Sequence, residues 1–160
     1  MNSKLPGQID GDSENLENEK LDKSQEQRQL LHEVTQETRF NIIQTILMHP
    51  KQLPSLKEVA YMHPDRSQAT LREHLEKLRE ISIVAKLELS EERQSRDSPK
   101  VFYGLTGEGR EILEEFGLLD IEETLQYMYD NMKKPKNIQE YEEAARPEMT
   151  DDNSNSAKTV

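Results

Sequence analysis

The sequence predicts an α+β protein, mostly α-helical, built on a helix-turn-helix that runs directly into a β-hairpin. Three observations carry this reading. Leu71, Leu75 and Leu78 recur at helical spacing, so one stripe of the segment from Ser67 to Leu78 is apolar. A shorter helical segment, Ser55 to about Met62, precedes it across a tight turn at His63-Pro64-Asp65-Arg66. After Leu78 the pattern changes to two short strand-like runs separated by polar, turn-rich residues.

In chain order, residues 1–24 are polar, charged and poor in aromatic residues, which predicts a disordered acidic tail. A helical pattern begins near Ser24 with Leu30, Leu31 and Val34. A second follows with Phe40, Ile43, Ile46 and Leu47 and stops at His49-Pro50, because proline disfavours helical geometry in the residue before it. The two patterns fit two helices or one bent helix. Ser55-Leu-Lys-Glu58 is a capping box: the Ser hydroxyl can take the Glu58 amide while the Glu58 carboxylate reaches back to the Ser55 amide. Leu56, Val59 and Ala60 give that helix its buried face, and Ser67 can cap the next one.

Ile83, Val84, Leu87 and Leu89 predict one strand and Val101–Leu105 a second, with a long flexible tip at Ser90–Pro99. A hairpin placed directly after such a helix is the wing of a winged helix. Thr106 then caps a further helix, and Gly117 suits its end. Asp120 opens the last helix of the domain. Leu118, Ile121, Leu125, Met128 and Met132 are spaced alternately by three and four, a seam of less than three heptads, and Pro135 ends it. Apart from Tyr141 the chain is polar from about Asn137, so residues 134–160 predict a polar, largely disordered tail. The domain is thus expected over 25–133, with 118–133 as its dimerisation helix.

The chain has 160 residues, 33% of them charged, and a formal net charge of −11. A DNA-binding chain this acidic needs its acids elsewhere than the reading segment. Residues 55–105 are balanced, whereas 106–133 carry two cations against eight anions. An acidic, solvated surface also suits a high-salt cytoplasm, although twelve Lys against nine Arg is not a Lys-poor balance. With no Cys, disulfides, thiolate metal sites and thiol switches are excluded. No apolar run approaches the roughly 20 residues that cross a bilayer, and the N-terminus lacks an apolar signal core. A soluble, cytoplasmic chain without membrane contact is the expectation.

Opposite the three leucines, the Ser67–Leu78 segment shows Ala69, Glu73 and Lys77, flanked by Thr70 and Arg72. A small residue, a hydroxyl and long hydrogen-bonding side chains on one face suit a helix in a DNA major groove. Glu73, Glu76 and Glu80 favour a merely solvated face, since phosphates repel them, yet a Glu can accept from cytosine N4. Arg93, Arg96 and Lys100 lie on the hairpin, placed for phosphate or the minor groove. His32, His49, His63 and His74 read as packing or capping residues rather than metal ligands. No acidic pair, Ser/His/Asp set or glycine-rich phosphate loop stands out, so no enzyme, metal or cofactor is predicted. The Leu118–Met132 seam could pack on its own domain or on a second copy. Leu30 and Leu31 could join it, which favours the dimer.

Glu37-Thr-Arg-Phe-Asn-Ile-Ile43 resembles the opening helix of ArsR-type winged-helix repressors, and the residues from Ser67 to Glu80 resemble their recognition helix. Phe102-Tyr-Gly-Leu-Thr-Gly-Glu-Gly-Arg110 is similar to the wing strand and following helix of ArsR, MarR and PadR relatives. Leu53–Met62, Phe102–Thr106 and Tyr141-Glu-Glu-Ala-Ala-Arg-Pro147 resemble haloarchaeal regulators of the reactive-oxygen-species type, the RosR-like group. The resemblance implies an archaeal homodimeric transcription regulator on double-stranded DNA with a pseudo-palindromic operator. By position, Gln68, Thr70, Arg72, Glu73 and Lys77 would face the groove, Arg66 and Ser67 would touch phosphate, and Arg93, Arg96 and Lys100 would serve the wing. It implies an oxidative or other stress signal too, which without Cys would need Met oxidation or an upstream sensor. The alternative is a winged-helix module for protein–protein contact without specific DNA binding.

Overall fold

The computed structural model describes residues 11–149, which divide into two units between Thr35 and Gln36. The first unit is the helix α1 (Gly11–Thr35). It begins inside the stretch expected to be a disordered tail over 1–24, so that boundary is corrected from Gly11 onward, while residues 1–10 lie outside the described residues. The physical reason is local. After Gly11 the stretch has neither Gly nor Pro, and Glu, Lys, Gln and Leu are good helix formers. Side-chain pairs one turn apart add to this, with Lys20 3.6 Å from Glu17 and Gln29 donating to Glu33 at 3.1 Å. Composition ruled out a core there and said nothing against a solvated helix.

Among its described residues the second unit contains six α-helices, a 3-10 turn at Glu91–Arg93 and a hairpin. Gln36 settles the question of one bent helix or two. Its backbone is extended and its side-chain oxygen accepts from the Arg39 amide at 3.0 Å, which caps a new helix, α2 (Glu37–Met48). α2 is the central element: Ile42, Ile43, Ile46 and Leu47 are buried. It packs against α3 (Leu56–Met62), α4 (Gln68–Glu80), α6 (Glu122–Asp130) and the strand β2 (Val101–Leu105). The capping box of α3 forms as expected, with the Glu58 carboxylate taking the Ser55 amide at 3.1 Å.

β1 (Val84–Glu88) pairs antiparallel with β2 in the register Val84 to Leu105 through Glu88 to Val101. The segment before α3 joins this sheet at one point. Ser55 bridges to Phe102, and the Tyr103 amide donates to the Pro54 carbonyl at 2.9 Å. Leu53, Leu87, Leu89 and Phe102 form a small apolar cluster beneath that junction. The hairpin is thereby tied to the helix-turn-helix. α5 (Gly107–Glu115) starts at Thr106, whose hydroxyl accepts from the Gly109 amide at 2.8 Å and donates to the Ser82 carbonyl at 2.6 Å. Gly117, at φ 71°, takes the left-handed turn after α5.

α6 is shorter than the helix expected from Asp120. The chain from Leu118 to Ile121 is a turn, and the helix starts at Glu122. The expected tail over 134–160 is also corrected. α7 (Lys136–Glu143) packs on α3, Ile138 is buried, and Arg146 is 8% exposed. Residues 150–160 lie outside the described residues. One cationic side chain that enters the interior leaves no apolar periodicity, so composition could not reveal it.

Candidate nucleic-acid interface

α4 presents two faces of opposite character. Leu71, Leu75 and Leu78 are fully buried, each contributing on the order of 2 kcal/mol by leaving water. Gln68, Ala69, Arg72, Glu73 and Lys77 are exposed on the other side, and Thr70 is half-exposed. Ser67 caps the helix: the Thr70 amide donates to its hydroxyl oxygen at 3.1 Å, and that hydroxyl donates to Thr70 Oγ1 at 2.9 Å. Arg66, in the preceding turn, is exposed as well. Glu76 is held by Arg79 through two hydrogen bonds of 2.8 and 2.9 Å, so part of the acidity of α4 is neutralised within the helix.

His63 and His74 tie the helix-turn-helix to α2. Thr45 Oγ1 donates to the Asn41 carbonyl at 3.1 Å, so at 2.9 Å it accepts from Nε2–H of His63. Arg39 Nη1 lies 3.3 Å from His74 Nδ1, and a guanidinium can only donate, so Nδ1 accepts. Both histidines have lowered pKa values. Burial is the larger cause in each, and for His74 the positive charges of Arg39 and Arg66 add to it.

On the wing, Arg93, Arg96 and Lys100 are all exposed. The tip holds its own hydrogen bonds where the sequence suggested a loose loop. The Leu89 amide donates to the Lys100 carbonyl at 2.8 Å, and Gln94 Nε2 donates to the Leu89 carbonyl at 2.8 Å. Arg93 differs from its two neighbours, because its Nη1 donates to the Arg146 carbonyl at 3.1 Å.

Arg146 is the residue that sequence reasoning missed, with a C-terminal motif resemblance as its only signal. Its Nε donates to the Leu53 carbonyl at 2.8 Å, and its Nη1 to the carbonyls of Tyr141, Glu142 and Ala144 at 2.8, 3.0 and 2.9 Å. Its Nη2 pairs with Glu58, and the guanidinium lies 4.8 Å from the centre of the Phe102 ring. Burial alone would raise the Glu58 carboxyl. Hydrogen bonds from His49 and the Ser55 amide, together with the Arg146 charge, hold it below the usual range. His49 accepts from the Lys51 amide at Nδ1, 3.1 Å, so Nε2 carries the proton donated to Glu58. One side chain thus joins α3, the wing and the chain after α7.

The seam residues separate. Leu125 is 6% exposed, and α6 packs on α2. Met128 is 60% exposed, Ile121 is exposed, and Leu118 and Met132 are half-buried. Leu30 and Leu31 are half-buried on α1. Among the described residues no group of His, Asp or Glu is arranged to hold a metal ion, and no helix is long and apolar enough to cross a membrane.

No family profile and no curated protein matches the sequence. Among solved structures, the chain is similar to a protein with a GntR-superfamily winged-helix-turn-helix domain from Halomicrobium mukohataei. The identity is 25% over 94% of this chain and 98% of that one, with a TM-score of 0.71. It also matches diamide-treated YodB from B. subtilis at 24% identity over 68% of this chain and 93% of that one, with a TM-score of 0.43. The second score is too low to carry an argument. The element order, the hairpin after α4 and the first of these likenesses agree: the chain has a winged helix-turn-helix fold.

Proposed function

We propose that this protein is a sequence-specific, DNA-binding transcriptional regulator that acts as a homodimer on a pseudo-palindromic operator. The observation that carries the reading is the polarity of α4. Its leucine stripe is sealed inside, and Gln68, Arg72, Glu73 and Lys77 are left to solvent on a helix that leads into a hairpin with Arg93, Arg96 and Lys100 exposed. In this reading Gln68, Thr70, Arg72, Glu73 and Lys77 meet base edges, Arg66 and Ser67 meet phosphate, and Arg96 and Lys100 meet backbone from the wing. Arg93 joins them with the guanidinium N–H groups not donated to the Arg146 carbonyl. The subgroup is that of ArsR-type regulators of the haloarchaeal reactive-oxygen-species group, supported by the motif resemblance alone. The site needs no catalytic residue and no cofactor, and the protein works in the cytoplasm.

The test is a titration of the full chain with duplex DNA from its own upstream region against a scrambled duplex of equal length. Tighter binding to the upstream duplex supports the reading. Equal, feeble binding to both favours the second reading, a winged helix for protein contact. The acids Glu73, Glu76 and Glu80 on the outer face of α4 motivate that alternative.

A further inference from the structure

A groove of about 610 Å³ opens between α3, the first turn of α4, the wing tip and α7. Lys57, Gln68, Arg96, Lys100 and Tyr141 line it, with Asp97 as the one carboxylate among the side chains it exposes. Among the described residues, Lys57, Arg96 and Lys100 form no ion pair with a carboxylate. Three cations against one carboxylate leave the lining with a net positive charge, which favours an anion. The outer concavity of α4 has no such excess: with Glu76 held by Arg79, Arg72 and Lys77 stand against Glu73 and Glu80. A polyanion lying against this face is therefore drawn toward the groove at the start of α4.

Two further features make the groove a built one. Lys57 Nζ donates to the Tyr141 hydroxyl oxygen at 3.3 Å and lies 5.5 Å from the centre of its ring. That hydroxyl, once it accepts from Lys57, keeps its own proton to donate. A phosphate oxygen at the mouth can take both groups. Tyr141 is itself held, since its carbonyl accepts from the buried Arg146 at 2.8 Å.

We propose that this groove seats the sugar-phosphate backbone of duplex DNA, and that Lys57 and Tyr141 bind a phosphodiester there beside Arg96 and Lys100. The C-terminal helix α7 then forms one wall of the DNA interface. The proposal rests on the DNA-binding reading above and extends it to two residues outside the recognition helix and wing.

The experiment measures affinity of the full chain for the upstream duplex and for a random-sequence duplex across a salt series. Lys57→Gln should lower the slope of log affinity against log salt on both duplexes by about one for each bound protomer, about two for the dimer, because each protomer releases about one fewer counterion. Lys57→Arg should restore the slope. Tyr141→Phe should weaken both duplexes by about two- to tenfold and leave the slope unchanged, since it removes one neutral donor. Melting temperatures should match wild type, because Lys57 is exposed and the Tyr141 ring is retained. An unchanged slope in Lys57→Gln, while wild type binds DNA, overturns the seat and leaves the DNA-binding reading standing. A loss confined to the upstream duplex also overturns it, because a backbone seat is indifferent to sequence. A wild type that binds neither duplex removes the DNA-binding reading, and the seat with it.

Discussion

Arg146 and Glu58 are separated by 88 residues of chain, are both almost fully buried, and are joined by a hydrogen-bonded ion pair. Glu58 also completes the cap of α3 and accepts the hydrogen bond of His49 Nε2–H. The pair is costly to assemble, because both charges leave water, and costlier to break from one side. Arg146→Ala should therefore destabilise the protein by about 3–5 kcal/mol, the penalty for a buried carboxylate that has lost its cation. Urea unfolding gives the number. The double variant Arg146→Met with Glu58→Gln should cost less than Arg146→Met and Glu58→Gln added together, and a double variant that costs their sum would show that the pair is not coupled.

Gly109 sits where α5 crosses the turn before β1. A Cβ at this position would lie 2.9 Å from the Ile83 Cα and closer still to the Ile83 carbonyl oxygen. Backbone cannot move aside as a side chain does. Gly109→Ala should cost about 1–3 kcal/mol through overpacking, although alanine is the better helix former. A melting temperature equal to or above wild type would contradict the close approach.

Local signals made the helix-turn-helix legible. The leucines of α4, the Ser55–Glu58 box and the Thr106 cap each declare themselves within a few residues, because periodicity and capping are short-range physics. The wing residues Arg93, Arg96 and Lys100 could be placed on the hairpin for the same reason. Arg146 could not, since its partners lie at Leu53, Glu58 and Phe102, far back in the chain. Lys57 and Tyr141 meet only because that contact brings α7 onto α3. Leu125 carried the right polarity, but its choice between a partner and its own α2 depends on the turn at Leu118–Ile121, which no pattern specifies.

Acid should loosen the helix-turn-helix before it affects the rest. His63 and His74 have folded pKa values below their ordinary 6.5, so the unfolded chain binds protons more readily. Their contribution is complete above pH 6.5 and is lost as pH falls from there toward the folded values. Glu58 adds a second loss at more acid pH, below its ordinary 4.5. Between neutral pH and about pH 5, wild type should lose melting temperature, and the variant His63→Gln with His74→Gln should lose distinctly less. Parallel curves for the two proteins would rule out these histidines as the cause.

On the recognition face, Arg72→Ala and Lys77→Ala should each weaken binding to the upstream duplex by about 1–3 kcal/mol if the residue reads a base edge. Both side chains are exposed opposite the leucine stripe, so stability should stay within about 0.5 kcal/mol of wild type. The expected result is a loss of discrimination between upstream and scrambled duplexes. A variant that melts early, with its folded fraction binding normally, would assign the residue to packing instead.

The last prediction concerns assembly. Leu125 is packed inside its own unit, so Leu125→Glu would bury a charge and damage the fold without reporting on a dimer. The informative position is Met128, 60% exposed, beside Tyr127 at 70% on the same helix. An exposed apolar pair on α6, with Ile121 at its start, is what a second copy would cover in the homodimer proposed above. The segment 106–133 carries two cations and eight anions, so two copies meeting there repel each other. Salt screens that repulsion and leaves the apolar contact intact. The dimer should therefore tighten as ionic strength rises. Met128→Glu should melt like wild type, sediment as a monomer at micromolar concentration, and bind a full operator poorly, because linked half-sites no longer act together. A wild type that stays monomeric in high salt, or a Met128→Glu variant that dimerises as well as wild type, would falsify this placement of the interface on α6.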